Sequence, residues 1–136
     1  MQQQPQKKKK LTPHDVVSIQ PLTRQQEEAF HAFHNFDLIS LLGSAGTGKT
    51  FLASYLALRS VAEKTHNKIL IVRSAVPTRE VGHLPGTLEE KEQVYERPYY
   101  PIFDQLINYK SNNYITMKEI GVVDFESTSY MRGETF

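Results

Sequence analysis

Cysteine is missing altogether from this chain of 136 residues. That excludes disulfide bridges, cysteine nucleophiles and thiolate metal sites, and it is compatible with a reducing compartment. Long apolar runs are missing too, since nothing approaches the roughly 20 residues needed to span a bilayer. Met1 to Lys10 are rich in Gln and Lys and hold no apolar h-region, so they do not form a secretory signal. The expectation is a soluble, cytoplasmic chain with no membrane partner. Charge of one sign is also lacking. Lys and Arg number 16 against 15 Asp and Glu, a formal +1 that does not by itself announce a nucleic-acid binder. No internal repeat and no interdomain linker is visible.

Hydrophobic residues make up 39% and charged residues 23%, the balance of an ordinary globular domain. The length suits one domain with a real core, though it is short for a complete nucleotide-driven engine. Residues 1–12 read as a disordered tail whose lysines, Lys7 to Lys10, form a solvated charge run. Residues 13–136 read as one partial domain.

Thr23 followed by Gln26 has the spacing of a capping box ahead of a helix carrying Ala29, Phe30 and Phe33 on one face. Asp37 to Leu42 is a short apolar run suited to a buried parallel strand. A second helix is expected from Lys49, with Leu52, Tyr55, Leu56, Arg59 and Ala62 at helical spacing. Lys68 to Arg73 reads as a second buried strand. Strand, loop, helix and strand make one βαβ unit, so the fold class is α/β with a parallel sheet. Further on, a helix is expected from about Arg97 or Pro101 to Tyr109, with Ile102, Phe103, Leu106 and Ile107 inward. A strand is expected at Val122 to Phe125.

The loop between the first strand and the second helix carries the chemistry. Gly43-Ser44-Ala45-Gly46-Thr47-Gly48-Lys49-Thr50 matches G-x-x-x-x-G-K-[ST], the Walker A or P-loop pattern, in full. Glycines let the backbone curl around a phosphate, and the N–H groups and the helix dipole then converge on the anion. Lys49 should reach the β- and γ-phosphates, and Thr50 should offer its hydroxyl to Mg²⁺. The pattern serves ATP and GTP alike.

Hydrolysis also needs an acidic residue to organise the metal. Asp124, at the end of Ile120-Gly-Val-Val-Asp124, is the local candidate. Strand alternation offers a plainer account, with Val123 and Phe125 on one face and Asp124 and Glu126 on the other. His31 and His34 lie three apart on a helix without an acidic partner at metal-ligand spacing, which argues against a metal role.

Several segments together resemble the PhoH family, predicted ATPases related to the superfamily 1 helicases. They are residues 43–50, Val72-Arg73-Ser74-Ala75-Val76-Pro77, Leu84-Pro85-Gly86, Glu90-Lys91, Arg97-Pro98 and Tyr130-Met131-Arg132-Gly133. The likeness runs from about Pro21 to Phe136 and is nearest to the virus-encoded branch. It implies a RecA-like P-loop NTPase core of which this chain is the N-terminal part. Gln26 stands where the family's upstream Gln contacts adenine in related helicases; closing the capping box is the equal alternative. Asp124 aligns with a strand ahead of the Tyr-Met-Arg-Gly element. The family's Walker B strand, with its Asp-Glu, follows the Arg-Gly segment, and the sequence reaches Phe136 without it. Ser74 stands where cellular members usually carry Pro, and the Arg73 to Leu84 loop is one residue shorter.

The resemblance implies ATP and Mg²⁺ as cofactors and, in the complete protein, ATP hydrolysis coupled to RNA or single-stranded DNA. The candidate nucleic-acid contacts are Arg73, Arg79, Lys91, Arg97 and Arg132. Tyr95, Tyr99 and Tyr100 could stack bases, though tyrosines between prolines more often pack. Two further functions stay open, a nucleotide-binding module without hydrolysis and, less favoured, a small-molecule kinase. A half-built parallel sheet would expose an apolar edge, so poor solubility or homo-oligomerisation is expected of the chain alone.

Overall fold

The structure, a computed structural model, describes residues 10–44, 46, 48–74, 93–109 and 112–128. A 3-10 turn, Pro13–Asp15, opens the described chain. The Asp15 carboxylate accepts from both the N–H and the hydroxyl of Thr12, each at 2.9 Å, which closes the turn. Leu11 and Val16, on either side of it, are buried.

Helix α1, Arg24–Asn35, starts where the capping pattern put it, with Thr23 Oγ1 accepting from the Gln26 N–H at 3.1 Å. Ala29 is buried, and Phe30 and Phe33 pack against the core. Helix α2, Lys49–Ala62, buries Tyr55, Leu56, Leu58, Val61 and Ala62. It ends at Lys64, whose φ of 64° is left-handed, while the Ser60 carbonyl accepts from both the N–H and the hydroxyl of Thr65, each at 2.9 Å.

Strand β1, Ile69–Arg73, pairs in parallel with β2, Val123–Ser127, in the register Ile69 opposite Val123 through Arg73 opposite Ser127. Between them lie helices α3, Tyr99–Leu106, and α4, Asn113–Glu119. The mixed α/β architecture with a parallel sheet is thus present, and β2 falls where the Val122 to Phe125 pattern put it. Alternation along β2 also holds: Val123, Phe125 and Ser127 are buried, while Asp124 and Glu126 are only partly so. Phe103, Leu106 and Ile107 turn inward as expected. With Leu58, Tyr114, Met117 and Val123 they form the centre of the core.

Residues 37–42 depart from expectation. They form no strand: they join no sheet among the described residues, and Leu38 and Leu42 are 87% and 93% exposed. A parallel strand has no hydrogen bonds of its own and exists only beside a partner. The described sheet holds β1 and β2 alone, and neither is paired with 37–42. Apolar composition favours a strand here, but composition does not supply the neighbour.

A buried polar cluster ties the last third together. The Glu96 carboxylate, 5% exposed, accepts from the Tyr114 hydroxyl at 2.9 Å and from Lys118 Nζ at 2.6 Å. Burial and the Glu96 carboxylate both hold the Tyr114 phenol well above its ordinary range. Tyr109 is pushed up to about 12, by burial first and then by the neighbouring Asp15 carboxylate.

Two predictions follow from this packing. Phe103→Ala should destabilise the chain by about 3–5 kcal/mol in urea unfolding, since the ring is 1% exposed. The Tyr109 phenol ionises at an ordinary 10.0 when unfolded and at about 12 when folded. Its stabilising contribution is therefore complete below pH 10 and is lost as pH rises toward about 12. Melting temperature should fall across that window, and Tyr109→Phe should flatten part of the fall.

Candidate functional site

The Gly-rich segment runs into the amino end of α2. Gly46 and Gly48 have φ of 83° and 79°, a left-handed conformation that side chains with a Cβ rarely adopt. A Cβ built on either meets nothing within 4 Å, so the glycines are required by backbone conformation and not by crowding. Gly48 is the N-cap of α2, and its carbonyl accepts the first helical bond from Leu52 at 2.9 Å. The N–H groups of Lys49, Thr50 and Phe51, ahead of that bond, have no acceptor within the helix and carry its positive dipole end.

Lys49 Nζ donates to the Gly43 carbonyl, so the ammonium folds back across the segment and joins its first residue to the helix. Thr50 is exposed in the first turn. Of the expected phosphate-binding residues, Gly43, Ser44, Gly46, Gly48, Lys49 and Thr50 are described, while Ala45 and Thr47 lie outside the described residues.

A cavity of about 630 Å³ opens between α1 and this segment, with Gln26, Ala29 and Phe30 on one side and Gly43, Gly48 and Lys49 on the other. That volume is within the range of small-molecule sites. Gln26 Oε1 accepts from the Leu22 N–H at 2.7 Å, so it closes the start of α1 one residue further back than a standard capping box does. Its amide nitrogen makes no hydrogen bond among the described residues. Gln26 thus combines a capping role with a place in the cavity wall.

Asp124 belongs elsewhere. It sits opposite Leu70 near the amino ends of the strands, and its carboxylate pairs with Lys68 Nζ at 3.3 Å. Its role here is an ion pair on the sheet's outer face. No group of three His, Cys, Asp or Glu suited to a metal exists among the described residues. His31 lies 3.3 Å from the Asn35 side chain, and the His34 ring stands edge-on to Phe33.

Arg73 ends β1, with its guanidinium over the Tyr95 ring at 5.8 Å and its carbonyl accepting from the Thr128 N–H at 3.0 Å. Arg97 is exposed in the turn before α3. Arg79, Lys91 and Arg132, with the Leu84-Pro85-Gly86 and Tyr130 to Gly133 elements, lie outside the described residues. Tyr99 and Tyr100 pack on Tyr114, with ring centroids 6.3 and 5.1 Å away, so they belong to the core. The Glu96, Tyr114 and Lys118 cluster escaped sequence reasoning because its members are 18 and 22 residues apart and share no local pattern.

Residues 18–136 match the PhoH family, described as PhoH-like protein. The chain belongs to the PhoH-like family. It is 35% identical over 119 residues to the PhoH-like protein of Bacillus subtilis, covering 87% of this chain and 37% of that one. It is 36% identical over 120 residues to the PhoH-like protein of Mycobacterium leprae, covering 87% and 34%. Against Protein PhoH of Escherichia coli K12 it is 32% identical over 126 residues, covering 90% and 36%. The chain therefore spans about a third of the length of these relatives. No solved structure matches.

In this PhoH-like chain the left-handed N-cap yields a direct expectation. Gly48→Ala should cost about 1–2 kcal/mol, read as a lower midpoint in chemical denaturation, with Gly46→Ala similar.

Proposed function

We propose that the chain holds the phosphates of ATP on residues 43–50, with Mg²⁺, and that the complete protein couples ATP hydrolysis to RNA or single-stranded DNA. The observation that carries this reading is a full Walker A pattern at the amino end of a helix, with left-handed glycines at 46 and 48. Lys49 would exchange its bond to the Gly43 carbonyl for the β- and γ-phosphates. Thr50 would offer its hydroxyl to Mg²⁺. Bound there, the metal would neutralise charge between the phosphates. Gln26, on the far wall of the cavity, would meet the base.

Family membership supports the coupling to nucleic acid, for which Arg73, Arg79, Lys91, Arg97 and Arg132 are the proposed contacts. The kinship to virus-encoded members is likewise our reading of the motifs, and it would make the host cytoplasm the site of action. No helix among the described residues is long and apolar enough to cross a membrane.

A second reading has its own support: Asp124, the local candidate for the metal-organising carboxylate, is engaged by Lys68. On that reading this chain binds nucleotide and hydrolyses little. Titration with Mg-ATP should give saturable binding that weakens by about tenfold or more in Lys49→Ala, the loss of a charge-assisted contact. Unchanged affinity in that variant would overturn the phosphate site. Hydrolysis by the wild-type chain that vanishes in Lys49→Ala would decide against the second reading.

A further inference from the structure

Gln26 is bound into the start of α1 through both its main chain and its side chain. Its N–H donates to Thr23 Oγ1 at 3.1 Å, and its Oε1 accepts from the Leu22 N–H at 2.7 Å. Only an oxygen can face that N–H, so the helix cap itself tells the two ends of the carboxamide apart. Leu22 is 88% exposed and lies outside the wall of the cavity of about 630 Å³, which Gln26 lines. The cap therefore turns the acceptor end toward the helix start. The Nε2 amide, without a partner among the described residues, is the end left for a ligand.

Much of the rest of that wall cannot tell one base from another. Phe30 and Tyr55 line it with ring centroids 5.7 Å apart, and Ala29 and Leu52 add apolar surface. Such surfaces hold any ring by stacking and burial. Thr23 Oγ1 already serves the cap, and Glu28 pairs with Arg24 at 3.5 Å.

Adenine and guanine differ along one edge. Adenine offers an acceptor at N7 beside a donor at N6, and guanine offers two acceptors, N7 and O6. A carboxamide selects adenine when its oxygen takes the N6 proton while its nitrogen donates to N7. With Oε1 turned to Leu22, Gln26 keeps only the second of these bonds. Guanine N7 accepts the same bond, and its O6 suits an N–H donor equally well.

We infer that Gln26 reads purine N7 as a donor alone, so that the site takes adenine and guanine nucleoside triphosphates with similar affinity. The helix cap thereby sets base selectivity. This rests on the phosphate-binding reading of residues 43–50 and extends it to the base.

The test titrates the chain by calorimetry with Mg-ATP, Mg-GTP and Mg-7-deaza-ATP, in which a C–H replaces N7. ATP and GTP should bind within about threefold of each other. The deaza analogue should bind about three- to tenfold more weakly than ATP, the loss of one neutral hydrogen bond. Gln26→Ala should remove that difference. Leu22→Pro deletes the capping N–H at an exposed position and frees Oε1 for the N6 proton. In that variant, with helix content matched by circular dichroism, the ratio should move about threefold or more toward ATP. Preference for ATP by about tenfold or more in the wild-type chain would overturn the inference. So would equal binding of ATP and its deaza analogue, a comparison that needs no variant, or an unchanged ratio in folded Leu22→Pro. The phosphate reading would survive each of these results if Lys49→Ala still weakened binding. No saturable binding of either triphosphate would overturn both.

Discussion

The position of the candidate site depends on how α2 is held. Its carboxyl half is core: Leu58 and Ala62 are 0% and 1% exposed, and burying one such leucine contributes about 1.5–3 kcal/mol. The same half is pinned from outside. The Tyr55 hydroxyl accepts from the Ile19 N–H at 3.0 Å, and Arg59 reaches the Pro13 carbonyl at 3.0 Å while pairing with Glu63 at 2.7 Å. The amino half, from Lys49 to Ser54, is half-buried or exposed. The helix therefore behaves as a rod fixed at one end, and it presents Gly48, Lys49 and Thr50 at the other.

That arrangement explains why the glycine-rich segment can take its shape with little packing around it. A glycine-rich turn needs permissive backbone and a fixed helix end, and both are met within residues 46–62. The sheet contributes less. Its β1 packs against α2 and its β2 against α4, and a gap lined by Leu41, Lys49, Thr50, Leu70 and Phe103 opens between α2 and β1.

Much of this could be read from the residues. Helix α1 follows from Thr23 and the Ala29, Phe30 and Phe33 stripe, because capping and amphipathic spacing are local. The Walker A pattern and the positions of β1 and β2 were legible for the same reason, although β1, expected to be buried, leaves Leu70 and Val72 42% and 46% exposed. Residues 37–42 misled, since an apolar run carries no information about whether a hydrogen-bonding neighbour exists. Helix α4 was not foreseen. It has only 7 residues, and its inward side chains, Tyr114 and Met117, make a single helical repeat. The Glu96 cluster and the engagement of Asp124 by Lys68 are long-range contacts, set by tertiary packing and invisible to spacing.

The central claim is that nucleotide phosphates, and not the base alone, are held by the amino end of α2. Its most direct test is to follow the backbone amide signals of Gly46, Gly48, Lys49 and Thr50 by NMR while adding Mg-ATP and, separately, adenosine. The account predicts large, saturable shifts at these four amides with Mg-ATP and small ones with adenosine. Equal shifts with both ligands, or shifts confined to residues away from the loop, would contradict it.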